Sequence, residues 1–132
     1  MKSPIKGSSG LGESRRDSVR VRTTDNTPAD LMQIPVNPGE AVRVRVEVLA
    51  RSTVHEVMCW TISALFYRIG SGNVTREDYD QVESGQQTAT SSATASLEAD
   101  TTTQKADLRV TGETGKTIDW EATATISRVV NP

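Results

Sequence analysis

Between residues 117 and 129 the chain alternates without a break. Ile118, Trp120, Ala122, Ala124 and Ile126 take every second position, with Asp119, Glu121, Thr123, Thr125 and Ser127 between them. A period of two puts the first set on one face of an extended strand and the second set on the other, which is the pattern of an antiparallel sheet with one face on a core and one in water. The run therefore commits the chain to a β fold.

The same pattern recurs upstream. Val42, Val44, Val46 and Val48 alternate with Arg43, Arg45 and Glu47, and Val19 and Val21 with Arg20 and Arg22. Leu31, Met32, Ile34 and Val36 form a run interrupted by Pro35, which suits an edge strand because proline cannot donate to a ladder. Between these runs, Asn37-Pro38-Gly39-Glu40 reads as a turn in which proline presets one central dihedral and glycine accepts the other. Residues 57–69 are apolar on both faces: Met58, Trp60, Ile62, Ala64 and Phe66 on one, Cys59, Leu65, Tyr67 and Ile69 on the other. Such a strand is central in a sandwich, or half in the core and half in a subunit interface.

Residues 77–83 carry Glu77, Asp78, Asp80 and Glu83 and read as an exposed loop or short edge strand. Residues 84–103 contain ten Ser or Thr and fit a sheet edge or long loop better than a helix. Leu108 and Val110 then alternate with Asp107 and Arg109. The expected fold is all-β, an antiparallel β-sandwich or jelly roll of six or seven strands with an extended N-terminal arm. Its expected core is Val42, Val44, Val46, Trp60, Ile62, Phe66, Leu108, Val110, Ile118, Trp120 and Ile126.

With 132 residues the chain has room for one core, expected over residues 18–132. Residues 1–17, rich in Gly and Ser, bring too little apolar surface to fold alone and are expected to form a flexible basic arm. Charge is divided accordingly: residues 1–27 hold six basic against three acidic groups, the remainder nine against fourteen. Lys2, Lys6, Arg15 and Arg16 are thus candidates for docking on an acidic partner. The formal net charge of -2 argues against nucleic acid as that partner. No apolar run approaches membrane-spanning length and no signal-like start is present, so synthesis in a cytoplasm is expected.

Motifs that could carry chemistry fail on their own requirements. Residues 110–117 end like a phosphate-binding loop, but Val110 stands where the first glycine is needed and a strand follows where a helix is required, so a hairpin turn is the better reading. His55, Glu56 and Cys59 contain the only His and Cys of the chain, too few for a zinc site. Glu77-Asp78-Tyr79-Asp80 lacks the spacing and glycine of a calcium loop. Asn73-Val74-Thr75 matches a glycosylation acceptor without a secretory context. No catalytic residues, metal or cofactor are called for, and the expectation is a protein that is not an enzyme.

Thr23-Thr24-Asp25 through Thr27-Pro28, Ile34-Pro35-Val36, the valine ladder ending at Ala50-Arg51, and Val110-Thr111-Gly112 with Gly115, Ile118 and Trp120 together resemble small β-sandwich domains of structural proteins in tailed bacteriophages, of the tail-fibre and capsid-decoration type. The resemblance spans residues 23–127. It implies a virion protein, often trimeric, with no catalytic residues to carry over. A stand-alone β body with a basic arm fits a capsid decoration (cement) protein on the outer head surface. Its partners would be other copies of itself, as a homotrimer meeting through Leu65, Tyr67 and Ile69, and the major capsid protein or another virion protein, without nucleic acid or membrane. A tail or fibre module for docking or receptor attachment is the alternative, though the heptads and repeats of fibres are missing. A carbohydrate-binding module is a third reading. Exposed aromatic platforms would favour it, and only Tyr67 and Tyr79 are left for one once Trp60, Trp120 and Phe66 go to the core.

Overall fold

The computed structural model describes residues 13–84 and 92–130. They form eight strands: β1 (Glu13–Thr23), β2 (Ala29–Pro35), β3 (Glu40–Ser52), β4 (Val57–Tyr67), β5 (Thr75–Ser84), β6 (Thr94–Asp100), β7 (Lys105–Thr111) and β8 (Ile118–Val130). Two antiparallel sheets result, a wide one in the order β1-β8-β3-β4-β5 and a narrow one in the order β2-β7-β6. The fold is a β-sandwich. The acidic run and the Thr/Ser-rich segment both supply strands, β5 and β6, each at the edge of its sheet, which is why eight strands appear where six or seven were expected.

The alternating runs bury the faces they were expected to bury. All eleven expected core residues are at most 2% exposed, and Met58, Val48, Ala95 and Leu97 join them between the sheets. Trp60 and Trp120 stack at the centre with ring centroids 5.5 Å apart and planes inclined by 25°. The indole N–H of Trp120 donates to Thr23 Oγ1 at 2.9 Å, so the buried donor is satisfied. Gly112 closes on the same point. A Cβ there would lie 2.5 Å from Thr23 Oγ1 and 2.7 Å from the Asp25 carbonyl oxygen, so only glycine lets the end of β7 pass this close. Thr23, Asp25, Gly112 and Trp120, scattered through the sequence, are thus one packing knot.

Turn chemistry follows the residues. At Asn37-Pro38-Gly39-Glu40 the Glu40 N–H donates to the Asn37 carbonyl at 3.1 Å and Gly39 has φ +72°, the geometry of a type II turn. The connection through Gly115 (φ +81°) is likewise a tight turn, with Lys116 N–H on the Glu113 carbonyl at 3.3 Å. It is not the hairpin expected, because β7 belongs to the narrow sheet and β8 to the wide one, and the turn carries the chain across the core.

The outer edge of β6 is covered by side chains of β5. Arg76 donates to the Leu97 carbonyl at 2.6 Å, and Gln81 donates to the Ala95 carbonyl. Arg76 also lies over the ring of Tyr79, 4.1 Å from its centroid. Backbone acceptors that would otherwise invite another strand are occupied without closing a barrel.

The boundary of the arm needs correcting. Residues 13–17 are not arm but the first half of β1, paired residue for residue with β8 from Arg128 to Ala124. β8 is thirteen residues long, and the eleven residues of β1 pair with it along most of that length. Lys2 and Lys6 lie outside the described residues.

Candidate functional site

The four basic residues assigned to docking are divided. Arg15 sits in β1 opposite Ile126 and pairs with Asp17 at 3.1 Å, while Arg16 faces the other way, opposite Thr125. The interface candidates are divided too. Leu65 is half-buried on the outer face of the wide sheet, in register with Arg43 and Glu77. The Tyr67 hydroxyl donates to Glu77 Oε1 at 2.9 Å, and Ile69, just past the end of β4, is 80% exposed.

Ile69 is not isolated. Val129 and Val130, at the end of β8, are 57% and 50% exposed, and with Ala41 and Tyr67 they line a depression of about 360 Å³ at one end of the wide sheet. The adjacent valines break the alternation of β8, because consecutive residues of a strand cannot both face the core. That doubling was the available signal in the sequence, and it was missed. Clustered exposed aliphatic side chains are the ordinary mark of a contact surface.

Residues considered for chemistry are structurally engaged. Lys116, at the place of a phosphate-binding lysine, pairs with Glu56 at 3.0 Å and with Glu113 at 2.5 Å. Its pKa is raised by the hydrogen bond to Glu113 and then by that to Glu56. Glu113 is held below the ordinary carboxylate range, first by Lys116 and then by the Ser92 N–H. Glu113 therefore contributes stability above its unfolded pKa, and loses it as pH falls through the lowered folded value. His55 is exposed in the β3–β4 turn with φ +69°, and its neighbour Glu56 points inward to Ser52 and Lys116. Glu77, Asp78 and Asp80 are in β5, with Asp78 on Arg43 at 3.2 Å. Among the described residues no cluster of three or more His, Cys, Asp or Glu side chains is arranged to hold a metal ion.

One carboxylate lies outside these networks. Asp107, in the middle strand of the narrow sheet, is fully buried and neither of its oxygens has a hydrogen-bond partner among the described residues. Burial, followed by the charge of Asp30 and the closeness of the Asp100 carboxyl group, raises its pKa from 3.8 to about 6, with Arg109, 3.9 Å from Oδ2, opposing. Because the folded value lies above the unfolded one, this group stabilises the fold in full below pH 3.8 and the contribution is lost as pH rises through about 6. Asp107→Asn is therefore expected to stabilise the protein at pH 7 by about 1–2 kcal/mol after allowance for screening of the facing charges. The gain should shrink toward pH 4. Urea midpoints at both pH values check it, and an equal effect at both would contradict the sign.

No protein-family model matches the chain, and comparison with curated proteins finds no match.

Proposed function

We propose that the protein is a non-enzymatic structural component of a bacteriophage virion, a capsid decoration protein that binds the outer head surface as a trimer. The apolar patch formed by Tyr67, Ile69, Val129 and Val130 is the observation that carries this reading. A single copy would leave these side chains in water, and a ring of copies, each placing the patch on its neighbour, would bury them. The resemblance of residues 23–127 to small β-sandwich domains of tailed-phage virion proteins points the same way. The basic residues before β1, Lys2 and Lys6, are assigned to the acidic capsid surface, an attachment that weakens as salt rises.

Light scattering of the purified chain at micromolar concentration is expected to give the mass of three copies. Ile69→Asp combined with Val129→Asp should give the mass of one while leaving the circular dichroism unchanged, because both residues are on the surface. A one-chain mass for the parent protein would remove the trimer. Added to heads that lack their native copy, the parent should bind in a fixed ratio. Recovery on isolated tails and not on heads would replace decoration by the fibre reading.

A further inference from the structure

The outer face of the wide sheet carries a polar furrow that the assembly reading does not use. Strand register lays two rows across it. In the first, Arg16 of β1, Thr125 of β8, Arg45 of β3, Ser63 of β4 and Asp80 of β5 stand side by side. In the second, Thr123 lies next to Glu47, and Glu47 next to Thr61. Short hydroxyl side chains form the floor and long charged ones the walls, enclosing about 350 Å³, within the size range of small-ligand sites.

The charges around this furrow are arranged differently from those nearby. On the same face Arg20 pairs with Glu121 at 2.9 Å, Arg22 with Asp119 at 2.7 Å and Arg43 with Asp78 at 3.2 Å. The Arg22–Asp119 contact is bidentate and raises the pKa of Arg22. Arg16 and Arg45, by contrast, have no ion-pair partner among the described residues, and neither do Glu47 and Asp80. The two arginines are separated by one strand, so their backbones lie about 10 Å apart, at the spacing of two ladder steps. Thr125 is the floor between them.

We propose that this furrow binds an acidic saccharide. The carboxylate of a uronate-type sugar seats between the guanidinium groups of Arg16 and Arg45, which offer it charge-assisted hydrogen bonds from two sides. The sugar hydroxyls bond with Thr61, Ser63 and Thr125, and with Glu47 and Asp80 as acceptors. Arginines take the place that stacked aromatics hold in sites for neutral sugars, consistent with the burial of Trp60, Trp120 and Phe66. An acidic peptide also satisfies the arginines, but it brings one backbone N–H per residue to the hydroxyl rows and the two carboxylates, where a sugar ring brings several hydroxyls at once. The proposal does not depend on the virion assignment.

The test is a calorimetric titration of the full chain with a galacturonate oligosaccharide, a neutral galactose oligosaccharide of equal length and a polyglutamate peptide. Saturable binding of the galacturonate alone is expected. Arg16→Gln and Arg45→Gln should each weaken it by about tenfold, the loss of one charge-assisted contact. Ser63→Ala should weaken it less. All three positions are on the surface, so the variants fold. Absence of saturable galacturonate binding, affinity unchanged in the Arg16→Gln and Arg45→Gln double variant, or equal binding of polyglutamate would each overturn the site.

Discussion

Replacement of Trp120 by alanine is expected to lower the unfolding free energy by about 3–5 kcal/mol, the range for truncating a large aromatic residue in a core. Three losses combine. The side chain is 1% exposed and its removal opens a cavity between two sheets whose strands are pinned by ladders and cannot collapse into it. The stack on Trp60, at 5.5 Å, goes with it. The Thr23 hydroxyl loses the indole donor while Gly112 still holds it against the end of β7. Trp60 remains as a fluorescent reporter, so the urea midpoint of the variant can be read directly. A midpoint equal to the parent's would show that the stacked pair is not the centre of the core.

Glu56→Ala should have the next largest effect, a loss of about 2–3 kcal/mol. Glu56 is 2% exposed and accepts from Ser52 Oγ at 3.1 Å and from Lys116 Nζ at 3.0 and 3.2 Å. It therefore ties the β3–β4 turn, which begins at Ser52, to the connection that crosses from β7 to β8. Removal leaves Lys116 with Glu113 as its remaining carboxylate, so the cost falls below that of stranding a buried charge completely. Salt should reduce the difference only in part, because Glu56 is buried while Lys116 reaches solvent. A stability change within about 0.5 kcal/mol, the range of ordinary surface substitutions, would count against this role.

Strands with one apolar and one polar face were legible residue by residue. The valines of β3 and the Ile-Trp-Ala-Ala-Ile series of β8 are buried as their spacing demands. The two edge strands were harder. In β6 the inward residues are Ala95, Leu97 and Ala99, two of the three being alanine, so the alternation with Thr94, Ser96 and Glu98 is present but weak in hydrophobic contrast. In β5 the inward side chains include Arg76 and Gln81, which are polar because they reach the carbonyls of β6 instead of filling a core. The start of β1 was hidden for a related reason: Arg15 and Asp17 share the inner face of the strand where no apolar residue announces it, and their place in the sheet comes from pairing with Ile126 and Ala124, about a hundred residues away. The polar furrow was illegible for a different cause. Arg16, Arg45, Ser63, Asp80 and Thr125 become neighbours through strand order and register, and periodicity within one strand carries neither.

The position of β8 has a consequence for how the chain is made. It lies between β1 and β3 and, among the described residues, supplies the one ladder partner of β1. During synthesis β1 leaves the ribosome first of the eight strands and β8 last, with roughly a hundred residues between paired positions such as Val21 and Trp120. Until residues 118–130 have emerged, β1 has no edge to join and β3 is open on one side. The β3–β4 and β6–β7 hairpins can form as they appear, being local, but the wide sheet is completed by a contact of very long sequence separation, the kind that slows folding most. The last strand synthesised is the one that joins the first strand to the rest of the sheet.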